Sequence, residues 1–177
     1  MRAGMILVVG YGNDLRGDDA AGQHAAARVA AWALPGVEVH ALHQLTPELA
    51  DPLAAADRAI FLDAHPAPNG AGIRVRRLRP AGSTPRLAHT CDPPGLLALA
   101  RDAFGRWPEA WWVTIPAAEF VFGAPLSPLA ERGVGDALET VRRLLASSPA
   151  PTRTVRRSRR ATDATRRHRR ITGCPTR

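Results

Sequence analysis

Lysine is missing from all 177 residues, so every fixed side-chain positive charge is an arginine. We read this as coding bias, and it leaves no Gly-Lys-Ser/Thr with which to build a P-loop. Cysteine is nearly as scarce. Cys91 and Cys174 stand far apart with no Cys-x-x-Cys, which excludes a disulfide framework and a structural zinc cage. No apolar run approaches the roughly 20 residues that span a bilayer. The apolar stretch near the N-terminus has no small-residue cleavage pattern behind it. The expectation is a soluble, cytoplasmic protein with no membrane partner. The common hydrolase signatures, His-Glu-x-x-His and Gly-x-Ser-x-Gly, are absent too.

The net charge of +8 points to nucleic acid until it is located. Residues 151–177 carry ten arginines and one aspartate, whereas residues 1–150 hold fourteen arginines against fifteen acids. The basicity is a property of the tail, and the remainder is nearly neutral. We therefore divide the chain into an α/β domain, 1–150, and an arginine-rich tail, 151–177, whose low apolar content predicts disorder. Nucleic-acid binding is expected only through that tail, if at all.

What the sequence does have begins at Met5. Met5–Val9 is an apolar run typical of a strand covered on both faces. Gly10-Tyr-Gly12-Asn13 follows, then Asp14, Asp18 and Asp19, ahead of an alanine-rich helix over 20–34. One aspartate at a helix start is explained as a cap; three acids are more than a cap requires. A dinucleotide fingerprint fails, because Leu15 stands where a third glycine or alanine is needed. A pyrophosphate would also meet carboxylates where it needs amides, so no nucleotide cofactor is expected. This turn suits a cation or a polar polypeptide.

Strand and helix patterns then alternate. Strands are expected over 37–42, 58–63, 73–78 and 109–115, and helices over 46–55, 93–104 and 127–146. Thr46 is read as the cap of its helix, and Leu129, Val134, Leu138, Val141, Leu144 and Leu145 as the buried stripe of the last one. Phe120 and Phe122 are expected to anchor the long connection 117–128. Of the adjacent Trp111 and Trp112, one ring is expected in the core and one toward a helix layer. The order predicts a three-layer α/β/α sandwich with a mostly parallel central sheet.

In such a sheet the carboxyl ends of the strands share one rim, where ligands bind. Asp18 and Asp19 follow the first strand and Asp63 ends the third. His89, in the loop before the 93–104 helix, reaches the same rim if that loop folds back. Two carboxylates and an imidazole suit zinc or nickel with a position left open. His65, two residues beyond Asp63, is an alternative to His89. His43 ends the second strand on this rim and is expected to contact substrate, whereas His40 is structural. Cys91 lacks a visible base with an orienting partner, so a thiolate nucleophile is not expected.

The run Gly10-Tyr-Gly12-Asn13-Asp-Leu-Arg-Gly-Asp18-Asp19-Ala-Ala-Gly22 resembles the Gly-x-Gly-Asn-x-Leu-x-x-Asp-Asp/Glu-x-x-Gly signature of the hydrogenase maturation proteases. His43-Gln-Leu-Thr-Pro-Glu48-Leu, Ile60-Phe-Leu-Asp63-Ala and His89 before a leucine-rich helix follow in the same order. The resemblance spans residues 5–145. It implies a metal-dependent endopeptidase that removes the C-terminal extension of a [NiFe]-hydrogenase large-subunit precursor. The metal would be nickel carried by that substrate, held by Asp19, Asp63 and His89. Asn13, Asp18 and His43 would support these residues or contact substrate, and a monomer is expected. Ala20 departs from the glycine many members carry, and the tail has no counterpart in the pattern. Two other functions follow from the same residues: a non-catalytic nickel or precursor-binding chaperone, or nucleic-acid binding through the tail.

Overall fold

The computed structural model describes residues 4–67, 71–82, 91–147 and 153–154. Five strands form one sheet in the order β2-β1-β3-β6-β4. β1 (Ile6–Tyr11), β2 (Val37–Leu42), β3 (Arg58–Pro66) and β6 (Glu109–Ala117) run parallel; β4 (Arg74–Leu78) closes one edge antiparallel to β6. The helices α1 (Ala21–Ala30), α2 (Ala50–Ala55), α3 (Pro93–Phe104) and α4 (Pro128–Ala146) cover its two faces. The expected three-layer α/β/α sandwich is the observed architecture.

Strand alternation sorts the apolar residues between two cores. Leu7, Val9, Ala59 and Phe61 face α2 and α3 together with Leu53, Leu96 and Leu97. Val8, Ile60, Leu62, Val113 and Ile115 face α1 and α4. β4 alternates arginines with Val75 and is exposed except at Leu78, as the mixed pattern of an edge strand predicts.

Four local expectations are corrected. The first helix ends at Ala30, short of 34, and starts after a 3-10 turn over Gly17–Ala20 that contains both Asp18 and Asp19. The buried side of α4 is built from small residues, Ala130, Gly133, Val134, Ala137, Thr140 and Val141, with Leu138, Leu144 and Leu145 only partly buried beside them. A Cβ on Gly133 would come within 2.6 Å of the Pro116 ring, so this helix lies almost on the sheet and large side chains are pushed to its flanks. Thr46 makes no capping hydrogen bond. Phe122 is 75% exposed and anchors nothing in the core.

The two tryptophans divide as the alternation requires. Trp112 packs against the α2–α3 core. Trp111, on the opposite face, lies under the guanidinium groups of Arg58 and Arg77. Arg58 is buried and donates to the carbonyls of Leu144 and Ser147, closing the C-terminal end of α4. Arg153–Thr154, the described part of the tail, forms a two-residue antiparallel pair, β7, with β5 (Arg106–Trp107). The remainder of the tail lies outside the described residues.

Candidate functional site

β1 ends at Tyr11 with Gly10 paired to Leu62, so Asp63 sits one residue further along the neighbouring strand at the same rim. The chain leaves β1 through Gly12, whose φ of +142° and 1.9 Å approach of a built Cβ to the Asp19 carbonyl admit only glycine. On the other side a Cβ at Gly10 would come within 2.1 Å of the Gly22 carbonyl, so α1 rests directly on the strand. The glycines of the motif thus fold Asp18 and Asp19 back against the end of β1.

The two adjacent aspartates then do different things. Neither side chain caps the helix. Asp18 is 0% exposed. Its carboxylate accepts from the backbone N–H groups of Ala118 (2.8 Å), Glu119 (3.0 Å) and Ser127 (2.6 Å) and from the Ser127 hydroxyl (2.7 Å). Its own N–H donates to the Glu119 carbonyl at 2.8 Å. Burial pushes the Asp18 carboxyl upward, but the donors from Ser127, Ala118 and Glu119 outweigh it and hold the group below its usual value. Asp18 staples the β1–α1 junction to the loop between β6 and α4.

Asp19 is half-buried and accepts the Asn13 N–H through Oδ2 at 3.1 Å. The Asn13 side chain in turn accepts from the Leu15 N–H at 2.9 Å, closing an Asx turn. Asp63 is also half-buried. Its Oδ2 accepts the Tyr11 hydroxyl at 2.7 Å and its Oδ1 accepts the Ala64 N–H at 2.8 Å. Burial raises the Asp63 carboxyl, and the negative charge of Asp19 adds to it. The Tyr11, Ala64 and Trp112 donors lower it without reversing the shift. Burial and the Asp63 charge likewise raise the Tyr11 phenol, which stays protonated and donates.

A carboxyl raised by burial and by the charge of a second acid, Asp19, at a strand-end rim suits a divalent cation, which would offset both. Among the described residues no group of three His, Cys, Asp or Glu side chains is arranged to hold a metal. His89 lies outside the described residues. The end of its loop is described: Cys91, like Tyr11, packs against the α2–α3 core, and the charge of Asp92 bears on the Tyr11 phenol.

Of the other histidines, His43 follows Leu42 at the same end of the sheet, since Leu42 pairs with Tyr11. His65 is buried in β3 with neither ring nitrogen partnered among the described residues. Burial and then Arg74 lower its pKa, so it is neutral near pH 7. His43 is exposed with Nδ1 3.9 Å from Asp14, and His40 pairs with Glu38 at 2.6 Å. Tyr11 stands at the variable position between two glycines, where the motif gives it no role. Its signal was available: Leu7, Val9 and Tyr11 alternate onto one face, and a phenol at the carboxyl end of a buried parallel strand reaches the rim.

The fold and this rim define a class, an α/β sandwich with an acid-lined strand-end site. No family model matches the sequence, and no curated protein matches it. Solved structures do. The chain is similar to the hydrogenase maturating endopeptidase HybD from E. coli, with 24% identity, a TM-score of 0.63, and coverage of 84% of this chain and 98% of that one. It is similar to the [NiFe] hydrogenase maturation protease HycI from Thermococcus kodakarensis KOD1, with 20% identity, a TM-score of 0.60, and coverage of 81% and 93%. A hydrogenase 2 maturation peptidase from Thaumarchaeota archaeon SCGC_AB-539-E09 matches at 23% identity and a TM-score of 0.60, over 80% and 98%. The chain therefore has the fold seen in these maturation proteases, over almost their whole length.

Proposed function

We propose that this protein is an endopeptidase of hydrogenase maturation, removing the C-terminal extension of a nickel-loaded large-subunit precursor. The observation that carries the reading is the placement of Asp63 at the end of β3, under the charge of Asp19 from the β1–α1 turn, on a fold shared with the maturation proteases. Asp19, Asp63 and His89 would hold the nickel that arrives with the substrate. The chemistry supplied by that ion is polarisation of the scissile carbonyl or activation of a water.

The chain's own contribution is to hold two charged groups in place before substrate arrives. The Asn13 N–H holds Asp19, and the Ala64 N–H holds Asp63. Asp18 keeps the surrounding loops fixed. Because only part of the ligand set belongs to the protease, a precursor without nickel would be a poor substrate. No helix among the described residues is long and apolar enough to cross a membrane. The reading takes the protein as a cytoplasmic monomer acting on the precursor.

The test is the mass of a nickel-loaded precursor after incubation with wild type and with the Asp19→Ala, Asp63→Ala and His89→Ala variants. Wild type should shorten the precursor and the variants should leave it intact. Full activity in Asp19→Ala and Asp63→Ala would discard the assignment. A wild-type protein that binds the precursor and leaves its length unchanged would be a maturation chaperone instead.

A further inference from the structure

Tyr11 is the only tyrosine in the chain. It closes β1, paired with Leu42 of β2 one residue beyond the last β1–β3 pair, and its ring packs against the α2–α3 core. The phenol is therefore fixed at both ends, by the backbone of an interior strand and by the core. Its hydroxyl donates to Asp63 Oδ2 at 2.7 Å, while the Ala64 N–H holds Oδ1 at 2.8 Å. A carboxylate torsion is broad when unrestrained; here each oxygen has one donor, and each keeps a lone pair. Trp112 borders the same spot. Its buried indole N–H lies close enough to lower both the Tyr11 phenol and the Asp63 carboxyl. The Asp63 carboxylate also feels the negative charge of Asp19.

We propose that Tyr11 is a positioning residue, its hydroxyl presetting the Asp63 carboxylate to share a divalent transition-metal cation with Asp19. The inference rests on the metal-dependent reading above. An outer partner that orients a ligating carboxylate typically changes metal affinity or activity by about 10–100-fold. Tyr11→Phe removes one oxygen and keeps the ring that fills the core, so it separates orientation from packing.

The experiment is calorimetric titration of the full-length protein with Ni²⁺ alone, for wild type, Tyr11→Phe and Asp63→Asn, with thermal unfolding of each in parallel. It is paired with kcat and KM for cleavage of the nickel-loaded precursor. Tyr11→Phe should bind Ni²⁺ about 10-fold more weakly than wild type, unfold at the wild-type temperature, and lower kcat with KM unchanged. Wild-type nickel affinity in Tyr11→Phe alongside lost binding in Asp63→Asn overturns the role of Tyr11 and leaves the metal reading intact. Wild-type affinity in both variants overturns the two together. A loss in Tyr11→Phe that scales with a lowered unfolding temperature assigns the residue to packing and overturns the proposal.

Discussion

Asp18 and Asp63 are acids on the same rim, and they behave in opposite ways. Asp18 is fully buried, accepts four hydrogen bonds and faces no other charge among them. Its pKa falls despite burial. Asp63 is more exposed, accepts two hydrogen bonds and faces Asp19, and its pKa rises. The first carboxylate is satisfied by the protein and has nothing left to offer a ligand. The second is left partly unsatisfied beside a like charge, which is the condition for recruiting a cation. Two acids that read alike in the sequence thus separate into one that holds the fold and one available for chemistry.

Breaking the Asp18 side should have the largest effect. Asp18→Ala strands three backbone N–H groups and a hydroxyl in the interior and should cost about 3 kcal/mol or more, read by urea unfolding. Next is loss of activity in Asp19→Asn and Asp63→Asn. Precursor cleavage should fall by more than about 100-fold in each, or about 2.7 kcal/mol of barrier, while the fold remains. Ser127→Ala removes one donor to Asp18 and the cap that Ala130 N–H uses at the start of α4. It should cost about 1–2 kcal/mol, with activity preserved in whatever fraction stays folded.

The smallest effects concern pH and have opposite signs at the two acids. A lowered folded-state pKa means that the stability Asp18 contributes is present above the unfolded value of about 3.9 and is lost as pH falls through the folded one. A raised folded-state pKa means that the contribution of Asp63 is present below that value and is lost as pH rises through the folded one. Asp18→Asn should therefore flatten the acid limb of the stability curve. Asp63→Asn should raise the stability of the metal-free protein at pH 7 by about 1 kcal/mol or less, followed by thermal unfolding across pH. A destabilised Asp63→Asn protein would erase the distinction between the two acids.

Much of this was legible before any coordinates. The alternation of strands and helices and the edge position of β4 follow from periodicity, whereas its antiparallel direction does not; the placement of Asp63 at the end of β3, on the rim where β1 ends, follows from the rule for parallel sheets. The role of Asp18 was not legible, because its partners at Ser127 lie 109 residues away in a loop with no motif of its own. The buried stripe of α4 was misread because close approach to the sheet favours alanine and glycine over the leucines that dominate hydropathy. Phe122 was misread for the converse reason, since a large apolar side chain on a loop need not be buried. Its neighbour Gly123 donates to the Leu15 carbonyl at 2.9 Å, so Phe122 is held beside the motif loop, facing solvent.

The account depends on a shared ion: Asp19 and Asp63 act on a metal that the substrate brings. The most direct test is to incubate wild-type protein with the same large-subunit precursor in nickel-loaded and nickel-free form and read both masses. The account predicts that the loaded precursor loses its C-terminal extension and the nickel-free one stays full length; equal cleavage of the two, or cleavage of neither, would contradict it.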